Sequence, residues 1–568
     1  MRIRINSLFV TLLAASTLLV LPAANAQVTV KFIGAGSSAQ WQVYAIAAAN
    51  APTLGGVNSH HYTIKGKCPD GSNCGQVFDV RPGVNHAEGG NLWVVWNNAQ
   101  TEVWAYLSVD SVVGIRSYFS NPRAQLQIDS DTETSGSEQN LISYTLFKYG
   151  DTGDCGPNGA QESTCDASAL PTAIYNALNN QAVTAGITDI RPEDAKFAQV
   201  RINSALTTNL SGLGYTGTPT GIPVESAFSS STATPIVFNI YGTDPVTGKQ
   251  IPPFTVFGVG ASPITIIDNR TDPNGLGGSN ITNVTQTQLQ ALFTGETCNM
   301  SVFGGSSSVG VNPLLREAMS GTMNTNEFTN LTAPVGSSAF VNSQETNVGQ
   351  PTPGTSANPL NMGCVAGPGF RYRGIGTGEI AGGVLNGNGS TFFNGEDAIG
   401  YVFFSYGNVS KLAGSSSYGY LTVNGVDPLI GQPGYVQGQL PVCALPCPAK
   451  PGTTFKHLRD GTYRSWSLLR AVTDASGTNR NNVDALVIAA QNNINKTVPD
   501  FVPFRAAAGD PGLKLYRSHS KNAYTKGAPS NGLGGQPENG SDVGGCIKKL
   551  GPPPGVLNHH ENTGVCSK

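Results

Sequence analysis

The stretch LLREAMSGTMNTNEF, residues 314–328, places an arginine four residues ahead of Ser320-Gly321-Thr322. A helix that begins there leaves its first backbone N–H groups without intrahelical partners, and its dipole favours negative charge at that end. Gly321 lets a ligand approach the backbone closely. The hydroxyls of Ser320 and Thr322 add donors, and Arg316 can return its planar fork to the same point. Together these residues make a cradle for a small oxyanion. The tripeptide alone is a cheap signal. Ser476-Gly477-Thr478 repeats it with Val472 where the arginine would stand, and an ordinary serine N-cap beside a surface arginine is the alternative.

A second turn of similar chemistry is GAGSSAQW, Gly34 to Trp41, where the backbone N–H groups near Ser38 and Ala39 sit at a helix start. Its Gly-x-Gly-x-x-Ala pattern also fits a dinucleotide fingerprint. That reading needs an acidic residue about 20 positions on, and the next one is Asp70, beyond Cys68.

The elements that must position these turns alternate between strand and helix. VTVKFIGAGSSAQWQVYAIAAAN reads as a strand, a Gly/Ser turn and a helix. EVWAYLSV is a strand followed by the helix SVVGIRSYF. ALPTAIYNALNN is a helix, AVTAGITDI a strand, and Pro192 opens another helix. FTVFGVGASPITIIDN, 254–269, is a long apolar strand, QTQLQALFTGE a helix, and 314–328 a strand, a turn and a helix. DAIGYVFFSYGNV is a further buried strand, residues 410–455 are irregular, and TYRSWSLLRAVTD and VDALVIAAQNNI close the pattern as strand and helix. Such alternation predicts an α/β architecture with largely parallel sheets.

Composition sets the frame. Of 568 residues only 12% are charged, 39% are hydrophobic, and Gly numbers 70 and Pro 36, which suits a loop-rich exported protein with enough apolar residues for a core. Arg2 and Arg4 precede an apolar run ending in Ala24-Asn25-Ala26, a secretory signal cut before Gln27. No cysteine follows the cut to carry a lipid, so a periplasmic or extracellular location is expected, with no membrane insertion after cleavage. The formal charge of −3 and the lack of a basic patch argue against nucleic acid. Ten cysteines in an exported chain read as a disulfide set, several in close pairs: Cys68/Cys74, Cys155/Cys165, Cys443/Cys447 and Cys546/Cys566, with Cys298 and Cys364 remaining. No histidine lies at ligand spacing from them, so no metal is expected.

Taken in order, GAGSSAQ, AGITDI, ALFTGETCNMSVFGG, LREAMSGTMNTNEF and DAIGYVFFSYGNV resemble the motifs of PstS-like phosphate-binding proteins of ABC transporters, which are type II periplasmic binding proteins. Arg-x3-Ser-Gly-Thr is the most specific of them. The resemblance implies a two-lobed α/β fold and a ligand set of Ser38, Ala39, Ser111, Asp189, Arg316, Ser320, Gly321 and Thr322. Asp189 would be the acceptor and Ser111 the serine of a second turn. It also implies lobe 1 over 27–260, with insertions at about 56–100 and 125–168, lobe 2 over 261–455, a return to lobe 1 over 456–505, and a Gly/Pro-rich, stapled tail over 506–568. The extra segments at 56–100, 125–168 and 506–568 depart from the family pattern.

The function expected is capture of inorganic phosphate or a similar oxyanion in an interlobe cleft, handed to an ABC transporter permease, without a cofactor and without catalysis. No Gly-x-Ser-x-Gly elbow, His-Glu-x-x-His or paired metal carboxylates argue for an enzyme. The alternative is a surface, adhesion or scaffold protein that keeps the fold and has lost anion binding.

Overall fold

The structure is a computed structural model. It describes residues 27–50, 91–128, 171–192, 242–316, 319–331, 364–374, 376–385, 396–443 and 447–515. Shorter pieces lie at 59–64, 75–78, 87–89, 195, 238–240, 344, 361–362 and 556–557. The leader over 1–26, most of the insertion at 125–168, and the pairs Cys68/Cys74, Cys155/Cys165 and Cys546/Cys566 fall outside the described residues.

The elements that carry the site are, in chain order, β1 (Thr29–Ser37), α1 (Trp41–Asn50), β2 (Glu102–Val109), α2 (Ser111–Phe119), β3 (Ala185–Thr188), β4 (Phe254–Asn269), β5 (Asn312–Arg316), α3 (Gly321–Asn326), β6 (Arg371–Gly374), α4 (Gly376–Val384), β7 (Ala398–Phe403), β8 (Trp466–Asp474) and α5 (Thr478–Asn493). They form one curled sheet in the order 361–362, β6, β5, β7, β4, β8, β3, β1, β2, 91–97, 59–64. The α/β class is as the sequence implies, but the sheet is mixed. β1 runs parallel to β2 and β3, and β5 runs parallel to β6 and β7. The two strands at the centre, β4 and β8, are antiparallel to their neighbours. A strand that leaves one half-sheet and enters the other does not need a helical crossover, so the rule that makes βαβ units parallel does not bind it.

β4 is that strand. Its first part, Phe254 to Pro263, pairs with β8, and its last part, Ile264 to Asp268, pairs with β7. It therefore belongs to both halves of a two-lobed α/β fold. Its near-continuous apolar run is what burial on both faces demands. β1 and β2 show the period of two directly. Phe32, Trp104 and Tyr106 enter the large core, and Ile33, Ala35, Val103, Ala105 and Leu107 enter a smaller one beneath Ile174 and Leu178.

Three sequence expectations need correction. The glycines of GAGSSAQ are not a turn: Gly34 and Gly36 lie inside β1. A Cβ on Gly36, whose φ is +141°, would stand 1.8 Å from the Ile187 carbonyl oxygen, so glycine here serves strand packing. AVTAGITDI is broken into Gln181–Ala182 and β3. The irregular region at 410–455 contains the strand Tyr418–Val423, which pairs with the end of β4. The segments expected as insertions contribute strands. Ser59–Ile64 extends the main sheet against Asn91–Asn97, and 75–78, 87–89, 125–128 and 181–182 form a second sheet of four strands.

Two disulfides are described, Cys298–Cys364 and Cys443–Cys447. Non-reducing peptide mapping should recover both links, and a Cys298 peptide joined to any partner other than Cys364 would contradict this chain path. Gly36→Ala should lower unfolding stability by about 2 kcal/mol in denaturant titration, because the methyl has no space against Ile187 and the backbone conformation disfavours a side chain.

Candidate functional site

Helix starts gather where the parallel strands end. β1 ends at Ser37, whose side chain caps the following turn by accepting from Ala39 N at 3.2 Å. β2 ends one residue before Asp110, the N-cap of α2. β5 ends at Arg316, and Ser320 caps α3, its hydroxyl accepting from Thr322 N at 3.1 Å and Met323 N at 3.3 Å. β6 ends at Gly374, and Thr377 lies in the first turn of α4. Strand-to-helix connections of this kind leave donor-rich helix ends at one edge of the sheet.

These ends meet across the seam between the halves. Arg316 Nη2 donates to Asp110 Oδ1 at 2.9 Å, and Nη1 reaches Thr377 Oγ1 at 3.1 Å and Thr322 Oγ1 at 3.4 Å. The guanidinium is 2% exposed. Its backbone N–H donates to the Tyr401 hydroxyl at 3.0 Å, which fixes the end of β5 against β7. Ser38 Oγ and Thr377 Oγ1 lie 3.1 Å apart, and Val112 N donates to Met319 O at 3.2 Å, so both chain halves contribute to the cluster.

Asp189 follows β3 and is 1% exposed. Its carboxylate accepts from the Ser111 hydroxyl through Oδ1 and from Thr322 Oγ1 through Oδ2, the latter at 3.5 Å. Its backbone oxygen accepts from Ser467 Oγ at 2.6 Å. Burial pushes its carboxyl above the ordinary carboxylate range, against the opposing pull of the Ser111 hydroxyl and the charges of Arg316 and Arg470. The approach of Asp189 explains Gly321. A Cβ there would stand 1.5 Å from Asp189 Oδ1 and 2.5 Å from Ser111 Oγ, so no other residue fits between helix end and carboxylate.

Of the residues singled out from sequence, Ser38, Ser111, Asp189, Arg316, Ser320, Gly321 and Thr322 converge here. Ala39 sits one residue further into its turn, with its N–H directed to the Ser37 hydroxyl. Sequence reasoning missed Ser37, Asp110 and Thr377. Asp110 had a signal, an N-cap aspartate directly before SVVGIRSYF. Thr377 had one too: IGTGE follows the strand RYRG, and Gly376, at φ +77°, marks the strand-to-helix turn. The second Ser-Gly-Thr, at 476–478, caps α5 with Gly477.

No family model and no curated protein matches the chain. Among solved structures it is similar to a putative phosphate ABC transporter substrate-binding protein from Clostridium perfringens, at 17% identity and a TM-score of 0.26, covering 43% of this chain and 72% of that one. It is similar to PstS from Borrelia burgdorferi at 15% identity and a TM-score of 0.24, covering 42% and 68%. A phosphate-binding protein from Stenotrophomonas maltophilia aligns at 12% identity and a TM-score of 0.30, covering 80% and 82%. None of these likenesses assigns a role to a residue of this chain.

Because folding raises the proton affinity of Asp189, its contribution to stability is present below the ordinary carboxylate range. It is lost as pH rises through its raised value. Urea midpoints measured against pH should therefore fall more steeply with rising pH in the native protein than in Asp189→Asn. Parallel curves would contradict the burial of an ionisable group at this position.

Proposed function

We propose that this is an exported solute-binding protein that captures phosphate, or a similar small oxyanion, between lobes formed by 27–260 with 456–505 and by 261–455. The single observation that carries the reading is a buried guanidinium, Arg316, at the meeting point of helix starts from both halves, beside a buried carboxyl and several hydroxyls. Ser38, Ala39, Ser111, Ser320, Gly321 and Thr322 would supply hydroxyl and backbone donors, and Arg316 the charge-assisted pair.

A carboxylate beside an anion selects for a protonated one. Phosphate near neutral pH keeps a proton that Asp189 can accept. Sulfate has none, so its oxygen would face Asp189 unpaired and repelled, a loss of about 1–3 kcal/mol in a water-poor site. The direct contacts across the seam, Arg316 to Asp110, Thr322 to Asp189 and Ser38 to Thr377, describe a closed arrangement. An anion that contacts both lobes would stabilise closure by its differential affinity for that state. The reading is binding and release, in support of ABC-type uptake.

Calorimetry on refolded, dialysed protein tests this. Phosphate should bind, Arg316→Ala should weaken binding by about a hundredfold or more, and Asp189→Asn should narrow the preference for phosphate over sulfate by about tenfold. Absence of heat with phosphate, sulfate and arsenate alike would favour the scaffold or adhesion alternative.

A further inference from the structure

Asp110 has no part in the ligand set derived from sequence, yet from the opposite half of the molecule it accepts a hydrogen bond from the Arg316 guanidinium at 2.9 Å. The two side chains are 2.9 Å apart and 9% and 2% exposed, so the pair is shielded from water. We infer, on the reading of the cleft given above, that Asp110 is a specificity-determining residue that limits the charge of the anion the cleft accepts.

The argument is one of charge placement. An anion that reaches Arg316 meets a guanidinium already partly neutralised by Asp110. It also gains a carboxylate neighbour across that guanidinium. Asp189 is the second carboxylate at the site, and the cations close to it are Arg316 and Arg470. Coulomb repulsion from Asp110 grows in proportion to the charge of the incoming anion, and burial keeps solvent from screening it. A doubly charged anion is therefore penalised more than a singly charged one of the same shape. Asp189 acts differently, because it rejects an anion for lacking a proton, whatever its charge. The two carboxylates thus read two properties of the ligand separately, and together they favour a singly charged, protonated tetrahedral oxyanion. Asp110 also meets the need of a buried guanidinium for a counter-ion when no anion is bound.

The experiment separates charge from protonation with two tetrahedral anions that carry no proton, sulfate (doubly charged) and perchlorate (singly charged), each used to displace phosphate from the full-length protein. In Asp110→Asn, sulfate should displace phosphate at about a tenfold lower concentration than in the native protein, and the ratio of the sulfate to the perchlorate midpoint should fall. Asp110→Glu, which keeps the charge, should restore the native ratio, and Asp189→Asn should move both anions together. An unchanged sulfate-to-perchlorate ratio in Asp110→Asn, or a ratio shifted equally by Asp110→Glu, overturns the proposal and leaves Asp110 as a structural partner of Arg316. A native protein that gives no heat with phosphate at all overturns the reading of the cleft, and this inference with it.

Discussion

A guanidinium taken out of water needs a counter-charge and hydrogen-bond acceptors around it, because an unpaired buried cation is among the costliest things a fold can hold. Arg316 imposes that requirement on this molecule. Its own half supplies hydroxyls from Thr322 and Thr377 and a tyrosine to hold the strand end, and among the described residues the carboxylate paired with it, Asp110, comes from the other half. The two halves are thus bound to meet at one point. The elements that meet there do so at their helix starts, where Ser37 and Ser320 cap backbone N–H groups.

The scaffolding follows from that meeting. Gly321 leaves space for Asp189, Ser111 holds the Asp189 carboxylate, and Ser467 at the start of β8 holds its backbone oxygen. Behind Arg316 a second polar layer continues. The Tyr401 hydroxyl bonds to Gln344, whose side-chain amide donates to Glu327 at 2.9 Å and to the Met323 carbonyl at 3.2 Å. Arg371 reaches the Gln344 carbonyl at 3.3 Å. A connected network of this kind fixes rotamers through many partners at once, so the guanidinium is held before any ligand arrives.

Much of this was legible in the amino-acid order. The long strand 254–269 was readable because burial on both faces makes an unbroken apolar run, and its bounds coincide with β4. Arg316 and Ser320–Thr322 were readable because a helix start has a short local signature. What was not legible depends on contacts between distant positions. The strand-interior role of Gly36 is set by Ile187, the need for glycine at 321 is set by Asp189, and the pairing of Asp110 with Arg316 joins residues from separate halves. Local spacing says where a helix begins and leaves open which other helix starts will face it. The mixed direction of the sheet was hidden for a similar reason: apolar periodicity gives burial, and the orientation of a neighbouring strand lies outside it.

β4 also has a free-standing obligation on its other side. Opposite β8, its residues Val256 and Phe257 pair with Leu557 and Val556, and Gly260 and Ala261 pair with Pro503 and Val502. The strand that joins the halves therefore has part of its hydrogen-bonding edge covered only by chain made long after it. During synthesis that edge stands open, a template for any extended segment nearby, until 502–503 and 556–557 are available to cover it. Protection of the strand on which both halves hang is then completed by segments made after the residues that form the seam.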